Sequence, residues 1–401
     1  GDLAEDPVLT DEFEVMDSYA EYFNYSCPHC DPLMTAPVDE ENGWWGSPYV
    51  YNESLHPTAW TGMLTCDWLD QWQTENAAQP FFLKVSFIRP HSPYDPPERW
   101  FNYMVDRIDD IPRHQVGVDN WDQRFGIPSS ICNMSNDDTY CGDPGQDLVL
   151  LSRAAYYGSI AFVDEWFGHI WDKLEETSLL DRTFMVFVAD HGDSLGDHNL
   201  WRKGYFTEQV ASIPMYMRWP NSTRYESTNK IVLARNSTID AVVELRDILP
   251  TLADVAKISF TTEQAVEIDG TSTLNLMKGE DVEWREFIDL EMAACGFNAS
   301  INWNALTDGK TKFVHSLYDG QVLLFNLTED PYELRNLAGL SEHADLVSLW
   351  EAKMVANFKA EGRNRMFVEG ERLGVINSTT KCSATKLTEN YPCYPSLCSD
   401  Y

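Results

Sequence analysis

Asp190 and His191 stand side by side, and Lys203 follows thirteen positions after Asp190. A carboxylate oxygen next to an imidazole nitrogen can hold a divalent cation when further carboxylates join from elsewhere. An ammonium near a sulfate or phosphate stabilises charge moving onto a leaving oxygen. Far upstream, His91 sits between prolines in Arg-Pro-His-Ser-Pro. An imidazole that titrates near neutrality can pass a proton to a departing alcohol and take one back. Each residue also has a plain reading: an Asp capping a loop, a hydrogen-bonded histidine, a solvated surface lysine.

The elements around them argue for a site. Thr183 to Ala189 is apolar on both alternations, which predicts a strand covered on both faces of a sheet. Ligand sites in α/β sheets gather beyond the carboxyl ends of such strands, where Asp190 and His191 fall, with Gly192 expected to let the chain turn sharply. Phe81 to Pro97 reads as a second buried strand ending at His91 and a proline-rich loop. Asp147 to Thr177 carries apolar residues at helical spacing and predicts a long amphipathic helix packed on the sheet. Trp100 to Cys141 lacks periodicity and reads as an insertion near the pocket mouth. Trp284 to Leu327 predicts an antiparallel sheet with a turn at Asp308-Gly309, and Ser341 to Lys359 a helix. Asp193, Asp197 and His198 suit turns better than a supporting shell for a cation.

The block TFMVFVADHGDSLGDHNLWRKGYFTE, residues 183–208, resembles a signature region of the sulfatases of the alkaline phosphatase superfamily. The resemblance implies that Asp190 and His191 bind the active-site metal and that Lys203 contacts the sulfate; given the acidic chain, a sulfated polymer would need a local basic patch around Lys203 and Arg202, or screening by salt. FFLKVSFIRPHSPYDPP is similar to the family segment whose strand-end histidine touches the sulfate or leaving oxygen, here His91. LLFNLTEDPYELRNLA is similar to the C-terminal signature, read as structural. Ile239 to Leu276 is similar to the stretch in which a helix with an Asp-Ile-x-Pro-Thr-Leu core precedes an Asp-Gly loop.

The implied fold is α/β, an alkaline phosphatase-like mixed sheet flanked by helices with a smaller C-terminal α+β subdomain. The domains expected are a catalytic one over 1–280, incomplete at its N-terminal side, the subdomain over 281–360 and a cysteine-containing tail over 361–401. The implied activity is hydrolysis of O-sulfate esters through a formylglycine and a divalent cation, Ca2+ foremost. The alternatives are a phosphonate or phosphate ester hydrolase of the same superfamily, or a non-catalytic sulfatase-like glycan-binding protein.

The family's front motifs, an adjacent pair of Asp ligands, Cys-x-Pro-Ser-Arg and a Lys-x-His segment, have no match here. Cys30-Asp-Pro-Leu-Met and Cys393-Tyr-Pro-Ser-Leu lack the arginine, and Asp109-Asp110 lies after the His91 block, where the family's pair precedes it. Gly1 to Tyr51 reads as the middle of a protein. A companion N-terminal segment carrying the formylglycine is therefore expected.

A net charge of −35 disfavours nucleic acid and anionic membranes, and no apolar run reaches the length of a membrane span. Sequons begin at Asn24, Asn52, Asn133, Asn221, Asn236, Asn298, Asn326 and Asn377, and together predict a secreted or lysosomal glycoprotein. Nine cysteines suit an oxidising compartment. Cys27-Pro-His-Cys30 has no second Cys/His pair at ligand spacing and reads as disulfide-forming. Local loops through Cys132 and Cys141, or Cys382 with Cys393 or Cys398, are further options. A sulfated small molecule or glycan is the expected partner.

Overall fold

The computed structural model describes residues 18–31, 43–75, 79–117, 141–220, 236–292, 302–317, 319–363 and 368–375. Chain contacts divide it into two compact units, the first formed by 1–114, 131–183 and 220–222, the second by 115–130, 184–219 and 223–401.

The first unit is helical. α1 (Ser18–Ser26), α2 (Pro57–Glu75), α3 (Glu98–Val105) and α4 (Gln146–Glu176) hold its core, with α4 packed against α2 and α3. The predicted helix at 147–177 is therefore present almost to the residue, and its neighbours within the unit are helices. Close packing depends on glycine: a Cβ on Gly62 of α2 would lie 2.2 Å from the Trp166 ring on α4. The segment from Trp100 opens inside a helix rather than a loop, because α3 places Trp100 and Tyr103 edge to face and leaves polar residues outward. Its residues 118–140 lie outside the described ones.

Phe81 to Ile88 is extended but belongs to no ladder among the described residues, and its side chains alternate between half-buried and exposed. This corrects the expectation of a buried strand. A local run of apolar residues reports the backbone preference, whereas cover depends on what lies over each face.

The second unit holds the sheets. β1 (Met185–Val188) pairs antiparallel with β2 (Met215–Arg218). β1 was expected to be covered on both faces, yet Phe187 is 40% exposed and faces Tyr216 across the pair. The cross-strand aromatic contact is what that face has in place of a covering layer. Between β1 and β2 lie the loop 190–207 and the short helix α5 (Glu208–Ala211). α6 (Ile248–Ala256), α7 (Thr262–Val266) and α8 (Leu274–Met277) follow. β3 (Ile288–Met292), β4 (Trp303–Thr307), β5 (Thr311–Ser316) and β6 (Val322–Asn326) form an antiparallel sheet in sequence order.

That sheet is the one predicted from 284–327, and Asp308 and Gly309 make its central turn: Gly309 has φ +80°, and Asp308 Oδ1 accepts the Lys310 and Thr311 amides. One face of the sheet buries Leu306, Phe313 and Leu324 against Trp350, Met354 and Phe358 of α9 (Ala344–Ala360), the helix expected at 341–359. A hairpin of β7 (Val368–Glu369) and β8 (Arg372–Leu373) closes the described chain. The only parallel contact among the described residues is an isolated bridge between Gly46 and Tyr94.

Candidate active site

β1 ends at Val188, and the next residues turn their polar groups outward. Asp190 is exposed over 83% of its side chain and accepts the His191 amide through Oδ1 at 2.9 Å. The His191 ring places Nδ1 2.7 Å from the Gly192 carbonyl, which accepts its proton, so Nε2 is the ring nitrogen not engaged by that backbone bond. That Nε2 lies 3.5 Å from Asp190 Oδ2. Among the described residues no third His, Cys, Asp or Glu joins them.

Gly192 serves by close approach rather than by a sharp turn. Its amide donates to Val210 O at 2.8 Å, and a Cβ there would sit 1.9 Å from Gln209 O. Asp193 and Asp197 are loop anchors, as the turn reading held. Asp193 Oδ1 accepts the Leu195 and Arg202 amides, each at 2.9 Å, and Asp197 Oδ1 accepts the Gln115 amide at 2.6 Å. His198 is buried beside Asp197. The loop adopts left-handed backbone at Leu195, Gly196, His198, Asn199 and Arg202. Non-glycine residues reach that region only where surrounding contacts hold them.

Arg202 and Lys203 diverge. Arg202 is 5% exposed, so it does not extend a surface basic patch as expected from its neighbour. Lys203 is exposed, between an Arg202 amide bound to Asp193 and a Gly204 carbonyl bound by Trp303 Nε1 at 3.1 Å. The backbone on both sides of the lysine is fixed while its ammonium faces outward.

In the first unit, His91 is half-buried, its Nδ1 2.8 Å from Ser92 O and its amide on Ile88 O at 3.1 Å. The loop contains cis peptide bonds at Arg89-Pro90 and Ser92-Pro93. Arg89 and Asp95 flank it as a buried bidentate pair, with Nε to Oδ1 at 2.6 Å and Nη2 to Oδ2 at 3.0 Å. Burial alone would push the Asp95 carboxyl up, but the Arg89 guanidinium overrides it and holds the group below the usual carboxylate range. Behind Asp95 lies His56, whose Nδ1 accepts the Thr58 amide at 3.1 Å and whose Nε2 is 3.7 Å from Asp95 Oδ1. Burial pushes the His56 imidazole below its ordinary value, so it stays neutral. This pair and its histidine escaped the reading of the sequence; Arg-(x)5-Asp around a proline-flanked histidine was the only available signal.

Of the expected cysteine pairs, Cys27 and Cys30 form a disulfide. They follow the C-terminus of α1, where the helix dipole disfavours a thiolate, and Cys30 is therefore a structural residue. Cys141 is disulfide-bonded to a partner outside the described residues. Cys132, Cys295, Cys382, Cys393 and Cys398 lie outside the described residues, as do Asn133, Asn221, Asn298 and Asn377. Asn24, Asn52 and Asn236 are exposed, whereas Asn326 is half-buried in a turn that its Oδ1 ties to the Thr328 amide at 3.1 Å.

Comparison with known proteins places the chain in a family. The Sulfatase family model matches residues 16–258, and a model described as N-sulphoglucosamine sulphohydrolase, C-terminal, matches 196–360. An arylsulfatase of Clostridium perfringens is 32% identical over 364 residues, 90% of this chain and 69% of its own length. A choline-sulfatase of Rhizobium meliloti is 33% identical over 270 residues, 67% of this chain and 48% of its own. Arylsulfatase K of Gallus gallus is 27% identical, with 49% of its length covered, so the chain spans about half of several curated relatives. The fold is that of a phosphonate monoester hydrolase of Agrobacterium radiobacter, TM-score 0.66 at 23% identity, over 86% of this chain and 68% of that one. With a family model matching well over half its residues, the chain belongs to the sulfatase family of the alkaline phosphatase superfamily.

Proposed function

We propose that the protein to which this chain belongs hydrolyses O-sulfate esters. The observation that carries the reading is the Asp190-His191 pair at the end of β1, with the exposed Lys203 on the same loop between fixed backbone anchors. Asp190 Oδ and His191 Nε2 would hold a divalent cation, calcium foremost because a hard oxygen-rich set is expected from the remaining ligands. When bound, that cation supplies positive charge to polarise the ester. A formylglycine nucleophile, its arginine and two further Asp ligands would come from an N-terminal companion segment, and the division at about residue 280 between catalytic domain and subdomain is retained.

Within this chain, Lys203 offers its ammonium to the sulfate oxygens and stabilises charge as the ester bond breaks. His91 offers an imidazole for proton transfer to the leaving alcohol. The substrate proposed is a sulfated small molecule or glycan, met in the secretory pathway, outside the cell or in lysosomes. Support for that route comes from the sequons and the disulfide, and a mass decrease on treatment with an N-glycosidase tests it. Among the described residues no helix is long and apolar enough to cross a membrane.

The activity is tested with an aryl sulfate and with the protein that carries this chain together with its front segment. Lys203→Ala or His91→Ala should lower turnover by about a hundredfold or more. Wild-type turnover in either variant removes that residue from the site.

A further inference from the structure

The loop that carries Lys203 is held by groups that arrive from the C-terminal sheet. Trp303 on β4 donates from Nε1 to Gly204 O. Lys312 on β5, 0% exposed, donates to Phe206 O at 2.7 Å and ion-pairs with Glu208 Oε1 at 2.6 Å and Glu333 Oε1 at 2.8 Å. Glu333, also fully buried, accepts the Glu208 amide through Oε2 at 2.7 Å. That amide is the first of helix α5, which has no side-chain cap of its own from Thr207. Phe206 is buried, meets Trp303 edge to face and stacks on Phe325 of the same sheet.

A buried ammonium with three acceptors, and a buried carboxylate capping a helix 125 residues away in sequence, is a costly arrangement for stability alone. Apolar residues of similar volume would fill the same space. What they could not do is fix the carbonyl of Phe206 and the amide of Glu208 in place. Glu333 adopts left-handed backbone, φ +54°, to make its contact. The signature Leu323 to Ala338, read from sequence as structural, thus reaches the loop that carries Lys203.

We propose that the Lys312–Glu333 pair is a positioning device for Lys203, setting where its ammonium meets the sulfate. The inference rests on the sulfate role of Lys203 given above. Lys312 and Glu333 touch no substrate; they act through the backbone of residues 204–208. A buried, doubly bonded anchor keeps that backbone from sampling neighbouring arrangements, so the lysine reaches the substrate from one place.

The test uses the paired replacement Lys312→Met/Glu333→Leu, which removes both charges together and leaves no buried charge unpaired, beside wild type and Glu333→Gln. Hydrogen exchange over residues 203–212 should rise about tenfold or more in the paired variant while the melting temperature stays close to wild type. In the protein with its front segment, kcat on an aryl sulfate should fall about tenfold or more with KM changed by less than about threefold. Glu333→Gln keeps one oxygen for the Glu208 amide but sets its NH2 against the Lys312 ammonium, so its kcat should fall between those of wild type and the paired variant.

In a Lys203→Ala background the paired replacement should cost nothing further, because the group it positions is gone. Unchanged exchange and kcat in the paired variant overturn the proposal. So do losses that multiply with those of Lys203→Ala. Full turnover in Lys203→Ala itself would instead remove the sulfate role of that lysine, and the inference with it. If the paired variant fails to fold, Trp303→Phe, which deletes the donor to Gly204 O and trims the ring that meets Phe206, should loosen the same segment, and an unaltered exchange pattern there overturns the proposal.

Discussion

Arg89 and Asp95 close the His91 loop with two parallel hydrogen bonds, 2.6 Å and 3.0 Å long, between side chains that are almost wholly out of solvent. The fork of the guanidinium matches the carboxylate at both oxygens, so the pair fixes direction as well as distance. His91 sits four residues before Asp95 and takes its position from that closure. The general acid role proposed for His91 would need its proton to reach the leaving oxygen, and a flexible loop would not keep it there.

Asp95→Asn should therefore destabilise the protein by about 3–5 kcal/mol, because it leaves a buried guanidinium without its counter-charge. Urea denaturation of the two proteins measures this. A loss under about 1 kcal/mol would show that the pair does not hold the loop.

Asp190→Ala should lower the bound divalent cation in elemental analysis, while the exposed position of Asp190 leaves the melting temperature of the cation-free protein close to wild type. An unchanged cation content would remove Asp190 from the ligand set.

Gly192→Ala should displace the same site through the backbone. The new methyl would meet Gln209 O at 1.9 Å, so the strand end or α5 must shift. Cation binding should weaken along with stability, the latter by at least about 1–3 kcal/mol as other forced overpackings do. A variant with both properties intact would show that the loop has room to move.

Acid should weaken the second unit through His315. Burial in β5 pushes its imidazole down to about 4 from an ordinary value near 6.5. The folded state takes up the proton less readily than the unfolded chain, so stability is complete above about pH 6.5 and falls as the pH drops toward 4. The loss should reach about 2 kcal/mol by pH 5 and about 3 kcal/mol by pH 3. His315→Asn should flatten that part of a stability profile measured from pH 7 to 4. An equally steep profile in the variant would place the acid sensitivity in other groups, such as the neutral buried His56.

The chemistry of the candidate site was legible because its donors sit in short, ordered runs. Asp190 and His191 follow an apolar strand directly, and Asp308-Gly309 marks the turn of the C-terminal sheet, since side-chain period and turn residues are local properties. Cover was not legible in the same way. Thr183 to Ala189 and Phe81 to Ile88 look alike as strings, yet among the described residues only the first enters a ladder, and neither is covered on both faces.

By itself the sequence determined which groups are the candidates for chemistry: a carboxylate and an imidazole at a strand end, a lysine thirteen residues on, a histidine among prolines, and the helix and sheet periods around them. Only the tertiary structure decided which of two adjacent cations is buried and which faces outward, Arg202 or Lys203, and that Asp193 and Asp197 serve backbone amides. It also decided that Lys312 and Glu333, distant in sequence, meet at the start of α5. The reason is physical. Residue type and spacing fix local geometry, whereas burial and ion pairing depend on which distant surface arrives opposite, and that is set by the packing of the whole unit.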